Sequence, residues 1–85
     1  MKRCTAQEAA AEALNAITMA RALRGSAEEA LARRFARFAR ERIGVYEEIL
    51  NLWVISLEEA SDNRCEAAAT LLMKAMAEAR KAAIL

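Results

Sequence analysis

Three copies of a helix-start signal divide this sequence and constrain its fold more than any other feature. In each copy, a residue that commonly caps helices is followed three positions later by glutamate. This is the spacing of a capping box, in which the two side chains satisfy free backbone N–H groups of the first helical turn. The three boxes are Thr5-Ala6-Gln7-Glu8, Ser26-Ala27-Glu28-Glu29 and Asn63-Arg64-Cys65-Glu66. They predict helix 1 over about 6–24, helix 2 over about 27–60 and helix 3 over about 64–84.

The connections between these helices are short, and they set the topology. Gly25 follows helix 1 at the position where a left-handed residue commonly ends a helix. Loops of about two or three residues place successive helices antiparallel. The chain has 85 residues, no proline and two glycines, which excludes a fold rich in tight β turns. We therefore predict an all-α protein, a single domain over residues 1–85 that forms an up-down-up three-helix bundle.

Apolar residues recur with helical spacing along all three helices. The stripe of helix 1 comprises Ala6, Ala10, Ala13, Leu14, Ile17 and Ala20. The stripe of helix 3 comprises Cys65, Ala68, Ala69, Leu72, Ala75, Met76, Ala79 and Ala83. Helix 2 is expected to supply the bulky core residues, namely Leu31, Phe35, Phe38, Ile43, Tyr46, Ile49, Leu50, Trp53 and Leu57. The breadth of this last stripe is typical of a central helix that contacts both neighbours.

Gly44 lies in the middle of helix 2, and two interpretations of it remain open. A glycine inside a helix costs about 1 kcal/mol relative to alanine, so we expect it to have a structural reason. Either it permits a bend or a break, or it lets another backbone approach a continuous helix closely. No capping residue follows Gly44 to begin a new helix. That absence favours the continuous helix.

The two cysteines, Cys4 and Cys65, lie toward the same end of the predicted bundle. Counting residues along straight helices places them at levels about 15 Å apart, whereas a disulfide requires Cα atoms within about 7 Å. The count favours two reduced, buried thiols. A bend at Gly44 would instead bring the cysteines together. Two thiols without a histidine are too few ligands for a metal site, so no metal is expected.

The charges and the missing residue types exclude several classes of function. The chain has 13 basic and 12 acidic residues, a net charge of +1, which gives no overall attraction to nucleic acid. The basic run Arg33–Arg40 carries its aromatic residues on the apolar side, where they cannot stack on bases. There is no histidine and no nucleophile–base motif, so we expect no catalysis, no cofactor and no identifiable small-molecule substrate. No stretch is apolar enough for a membrane span or a secretory signal. We expect a soluble protein, cytoplasmic if expressed in a cell.

Three arginines fall within the apolar stripes, namely Arg21, Arg42 and Arg80. One interpretation is an anion-binding pocket lined by guanidinium groups, which carboxylates could extend into a small enzyme site. The other is that their aliphatic stems cover the edge of the core while the charges reach solvent. No companion nucleophile or base accompanies them, which favours the second interpretation.

The outer face of helix 2 is the predicted interaction surface. Leu52 and Ile55 fall outside the main apolar stripe, so a monomer would leave them uncovered. Arginines are concentrated before Gly44 and acids after it. An antiparallel two-fold dimer centred on Gly44 would set Arg40 of each copy against Glu48 of the other. The predicted interface residues are Arg33, Arg37, Arg40, Gly44, Glu48, Leu52 and Ile55.

The repeated capping boxes, the minimal loops and the helices rich in Ala, Glu and Arg resemble de novo designed helical-bundle miniproteins. The resemblance covers the whole chain and is one of style, since design practice installs these features. It implies a binding, assembly or scaffold role outside any biological pathway. The isolated Gly44 and the unequal helix lengths depart from that style. We predict a non-catalytic interaction protein whose partner is another protein or a second copy. The alternatives are a scaffold without a partner and a small anion-binding protein or enzyme using the three arginines.

Overall fold

The computed structural model describes residues 4–82 and shows an all-α three-helix bundle. Helix 1 is α1 (Thr5–Leu23), and helix 3 is α5 (Asn63–Ala82). Helix 2 has three parts, namely α2 (Glu29–Glu41), α3 (Ile43–Ile55) and the single turn α4 (Leu57–Ala60). No strand occurs among residues 4–82. The predicted fold class is confirmed, and the last two residues predicted for helix 3 lie outside the described residues.

The second capping box closes a turn rather than starting a helix. Gly25 has a φ of +77°, the left-handed conformation expected where a helix ends. Ser26 Oγ accepts a hydrogen bond from the Glu28 N–H at 3.0 Å, and the Glu29 carboxylate accepts one from the Gly25 N–H. Both predicted capping side chains are therefore engaged. Because they stabilise the turn itself, α2 begins at Glu29, two residues later than predicted.

The other two capping boxes are wrong in detail, because each helix takes in its predicted cap. Helix α1 includes Thr5, and Cys4 stands at the cap position without a side-chain cap hydrogen bond. Helix α5 likewise includes Asn63. There Asp62 acts as the cap, since its Oδ1 accepts a hydrogen bond from the Arg64 N–H at 2.8 Å. The predicted helices exist, and their first residues differ by one position.

The core is built mostly of alanine. Eleven of the sixteen buried apolar residues are alanines, and the larger ones are Ile17, Tyr46, Cys65, Leu72 and Met76. Helix α1 packs against both α5 and α2. The short alanine side chains allow the helix axes to lie close together. Every predicted stripe residue of helix 3 from Cys65 to Ala79 is buried, whereas Ala83 lies outside the described residues.

Helix 2 supplies fewer bulky core residues than predicted. Tyr46 is fully buried, and Phe35, Ile43, Ile49, Leu50 and Trp53 are partly buried against the core. The predicted core residues Leu31, Phe38 and Leu57 are exposed, as is Leu14 of helix 1. The reason is geometric. Two closely packed helices offer a narrow surface to a third, so the sides of its broad apolar stripe remain uncovered.

Helix 2 is bent by 39°, and the bend lies at Arg42, two residues before Gly44. The Arg42 backbone has φ −87° and ψ −5°, whereas a regular helix has ψ near about −42°. Hydrogen bonding continues through the bend. The Arg42 N–H donates to the Phe38 carbonyl at 3.1 Å, and the Arg42 carbonyl accepts from the Tyr46 N–H at 3.0 Å. Helix 2 is therefore hydrogen-bonded through this point, as the favoured continuous helix predicts, but it is bent, so the straight geometry assumed for it is wrong.

Cys4 and Cys65 form a disulfide, with their Cα atoms 5.6 Å apart. It links the start of α1 to the first turn of α5. The favoured pair of reduced thiols is therefore wrong. The straight-helix count placed the cysteines on different levels, and the bend in helix 2 invalidates that count. Leu50 and Trp53 pack beside this end of the core.

The far end of helix 2 is less regular than predicted. Ser56 has φ −88° and ψ 109°, which interrupts the helix between α3 and α4. Its Oγ accepts a hydrogen bond from the Glu59 N–H at 3.2 Å, so Ser56 caps the single turn that follows. Trp53 Nε1 donates to the Glu59 carbonyl at 3.2 Å and ties this turn back to α3. The chain then reaches α5 through Ser61 and Asp62.

Candidate interaction surface

The end of helix 2 formed by α3 and α4 exposes an unusual amount of aliphatic surface. Leu52 is 55%, Val54 64%, Ile55 75% and Leu57 89% exposed. Leu52 and Ile55 are three residues apart and share one side of α3, while Val54 lies on another side. A helix that is apolar on most sides is ordinarily covered on most sides. Exposed aliphatic side chains in this number are common where a protein meets a partner.

The seven predicted interface residues are all exposed. The bend at Arg42 divides them, because Arg33, Arg37 and Arg40 belong to α2 whereas Gly44 and the others belong to α3. They therefore lie on two segments of a bent helix rather than on one flat face. Their exposure is consistent with the predicted role, and the role itself stays a prediction.

Charge on the two segments has opposite sign. Helix α2 has four arginines and two glutamates, a net charge of +2. Helix α3 has two glutamates and no cation, a net charge of −2. Arg34 and Glu48 take part in no hydrogen bond or ion pair with the part of the chain that the structure describes. These charges are therefore free to meet a partner.

Gly44 is not required by the packing within the chain. A Cβ atom placed on it would meet nothing within 4 Å, and its φ is not positive. An alanine would therefore fit there and would stabilise the helix by about 1 kcal/mol. Neither a close internal contact nor backbone strain explains the glycine. A close approach by another molecule stays open as its explanation.

The three arginines of the alternative anion site are each paired with a glutamate on another helix. Arg21 pairs with Glu78. Arg42 Nε donates to Glu12 Oε1 at 2.8 Å, and Arg80 pairs with Glu47 at 2.8 Å. Because each guanidinium already has a carboxylate partner, the arrangement offers no unpaired cationic cluster to an anion. The interpretation of these side chains as cover for the core edge fits the observed geometry better.

A polar network, which sequence analysis missed, fixes the bend to α1. Glu12 Oε1 accepts hydrogen bonds from the Tyr46 hydroxyl at 2.7 Å and from Arg42 Nε. The Arg42 guanidinium also lies over the rings of Phe38 and Tyr46, 5.9 and 5.8 Å from their centroids. A hydroxyl on a core aromatic needs a partner when buried, and this requirement is the signal that could have predicted the network.

The network shifts the pKa values of its acidic members in opposite directions. Burial raises the pKa of Tyr46 to about 12, and its hydrogen bond to the Glu12 carboxylate acts in the same direction. That hydrogen bond holds the pKa of Glu12 below its ordinary value, with Arg42 contributing and partial burial opposing. At neutral pH the phenol is therefore neutral and the carboxylate ionised. The network serves as structural support and presents no group poised for proton transfer.

The described residues contain neither a candidate metal cluster nor a candidate membrane span. Among residues 4–82, no three histidine, cysteine or carboxylate side chains are grouped so that they could hold a metal ion. Within the same range, no helix combines the length and the apolar character needed to cross a membrane.

The chain was also compared with known proteins. No protein-family model, no curated protein and no solved structure matches it.

Proposed function

We propose that this chain is an interaction protein, without catalysis of its own, that binds a protein partner through the exposed surface of helix 2. One observation carries the proposal, namely the four aliphatic side chains at the α3–α4 end that are each more than half exposed. Fully burying such a side chain is worth about 1.5–3 kcal/mol. A partner that covered several of them would gain enough free energy for stable binding.

The charge pattern supports a protein partner over other ligands. The apolar end of helix 2 lies beside Glu47 and Glu48, and no lysine or arginine occurs from residue 43 to residue 63. This composition disfavours nucleic acid and anionic lipid, since both require cations. The stylistic resemblance to designed helical bundles supports the same role, because such bundles present a rigid helix face to a target.

The proposal is tested with the whole chain immobilised as bait and with two matched double variants. The test variant, Leu52→Glu with Ile55→Glu, places charges on the proposed surface. The control, Leu71→Glu with Met73→Glu, makes the same change at two exposed apolar residues of α5. Circular dichroism establishes that both variants remain helical. We expect binding by wild type and by the control, and loss of binding by the test variant.

Either a captured protein or self-association of the bait supports the proposal when it depends on Leu52 and Ile55. The proposal is overturned if nothing binds wild type and the chain also stays monomeric. It is equally overturned if both double variants lose binding alike. In that case general apolar exposure, rather than helix 2, would account for the capture.

A further inference from the structure

The exposed large side chains of helix 2 contain a regular repeat. Four of them are seven residues apart, and we call them the heptad stripe: Leu31, Phe38, Val45 and Leu52. Their exposed fractions lie between 37% and 55%. A spacing of seven keeps side chains on one side of a helix over several turns, and it is the spacing by which helices pack lengthwise against one another. The stripe continues across the bend, with two members on α2 and two on α3.

The stripe is symmetric about the bend. Its midpoint falls between Phe38 and Val45, beside Arg42, and the flanking helices α2 and α3 have 13 residues each. Turning a second copy end for end about this point sets Leu31 opposite Leu52 of the second copy. Phe38 is then opposite Val45 of the second copy. Apolar positions therefore match apolar positions throughout, as an isologous contact requires.

The charges obey the same symmetry. End-for-end pairing sets α2, with its net charge of +2, against α3 of the other copy, with its net charge of −2, and it does so twice. A parallel pairing would instead set like charges against each other. In the antiparallel arrangement, Arg34 beside the stripe lies near Glu48 of the second copy. Neither side chain has an ion-pair partner within the described residues.

An open groove lies beside the α2 half of the stripe. It has a volume of about 470 Å³ and lies between α1 and α2, lined by Leu31, Phe35 and Phe38 and edged by Glu12 and Arg34. A single chain leaves this apolar groove unfilled. In the antiparallel arrangement, the Leu52 side chain of the second copy faces its Leu31 end.

From these observations we propose that the partner is a second copy of this chain, docked antiparallel along the heptad stripe with the two-fold axis at Arg42. This inference rests on the proposed function and names its partner. It places the axis two residues from Gly44 and moves the contact to the side of helix 2 that carries Phe38 and Val45.

Sedimentation equilibrium of the whole chain tests the inference. Wild type is expected to be a dimer at about 100 μM, which corresponds to a Kd in the micromolar range or below. Val45→Glu is expected to weaken dimerisation about 100-fold, because each dimer loses two buried aliphatic contacts. Leu71→Glu is the matched control, since it makes the same change at a similarly exposed aliphatic residue that lies on α5, away from the stripe. It should leave the dimer intact, and circular dichroism should show all variants helical.

Charge exchange tests the antiparallel orientation and does not depend on the apolar variants. Arg34→Glu alone and Glu48→Arg alone should each weaken the dimer, because each sets like charges together in both symmetric contacts. An equimolar mixture of the two variants restores opposite charges in both contacts. It should therefore form heterodimers more strongly than either variant forms homodimers.

A monomeric wild type at about 100 μM overturns the inference, as does a mixture that associates no better than its components. Equal weakening by Val45→Glu and Leu71→Glu overturns the assignment of the stripe. A wild type that is monomeric, yet captures a foreign protein through Leu52 and Ile55, refutes the second copy while leaving the proposed function in place.

Discussion

Two regions of the molecule differ in which side chains they bury and which they expose to water. One is the contact between α1 and α5, and the other is the α3–α4 end of helix 2. Where α1 meets α5, the buried residues are mostly alanines, and a disulfide links the two helices at one end. At the α3–α4 end, leucine, isoleucine and valine side chains are largely exposed. Hydrophobicity alone therefore does not decide burial in this chain. The presence of a facing helix does, and small residues are what allow the facing helix to come close.

This contrast explains why the most apolar segment of the chain is the least covered. Helix α3 is apolar on nearly every side, yet α1 and α5 together cover only one of them. On the covered side of α3, the Tyr46 side chain is fully buried. The side chains of Ile49, Leu50 and Trp53 are partly buried there. Four aliphatic side chains of α3 remain between 40% and 75% exposed, namely Val45, Leu52, Val54 and Ile55. A partner is the physical means by which they would be covered.

Reducing the disulfide should weaken the α1–α5 contact more than any other single change. The bridge spans 61 residues, and a cross-link over a loop of that length stabilises by about 4 kcal/mol through the unfolded chain. That is most of the stability expected for a small domain. We expect the free energy of unfolding, measured with urea, to fall by this amount when a dithiol reductant is added.

The matched control for reduction is the double variant Cys4→Ser with Cys65→Ser. Its unfolding curve should be insensitive to reductant and should resemble that of the reduced wild type. Two titratable thiols per native chain without reductant, together with unchanged unfolding curves, would contradict the disulfide and restore the straight-helix interpretation.

Enlarging a side chain in the alanine-rich contact between α1 and α5 should destabilise the chain. Shortening a side chain at the exposed α3–α4 end of helix 2 should not. Ala75 is fully buried, so Ala75→Leu should cost about 3 kcal/mol by forcing the helices apart. Leu57→Ser removes a large aliphatic side chain that is almost fully exposed, and its effect should stay within about 0.5 kcal/mol. Urea unfolding of the two variants measures the difference.

Ala77→Leu serves as the control for side-chain size, because Ala77 is an exposed alanine on the same helix. It should leave stability nearly unchanged. A cost for Leu57→Ser as large as that for Ala75→Leu would show that α4 is packed in solution and that the two regions do not differ.

The architecture could be predicted from sequence because local signals carry it. The capping residues and Gly25 mark the helix ends to within two residues, and the alanine stripe of helix 3 identifies the residues that are buried. The exposure of Leu52 and Ile55 could also be predicted, since both depart from the main apolar stripe.

The bend in helix 2, the disulfide and the exposure of several apolar residues could not be predicted from the sequence. They depend on the angle at which helix 2 runs along the other helices, which local sequence patterns do not encode. At Arg42, where α2 ends and α3 begins, Glu12 of α1 accepts hydrogen bonds from both Arg42 and the buried Tyr46, which is a tertiary contact. The disulfide follows from that bend, so the residue count along straight helices excluded it. Phe38 and Leu57 have the periodicity of core residues and are exposed because helix 2 meets too narrow a surface.

Tyr46 joins the two regions, and its ionisation provides the last test. It is the one large α3 side chain that is fully buried, and its pKa is raised to about 12. A phenol whose pKa is higher in the folded than in the unfolded chain stabilises the fold below the unfolded value, about 10, and that stability is lost as pH rises toward 12. We expect wild type to lose about 2 kcal/mol over this range relative to Tyr46→Phe.

Absorbance of the phenolate provides a direct measurement, because the chain has a single tyrosine. Its titration midpoint should lie near 12 in the folded protein and near its ordinary value in urea. At neutral pH, Tyr46→Phe should cost only about 1 kcal/mol, since Glu12 keeps its contact with Arg42 and is partly solvated. A phenol that titrates normally in the folded chain would place Tyr46 in water. Helix α3 would then have no fully buried side chain, and the distinction between a packed and an exposed face of α3 would not hold.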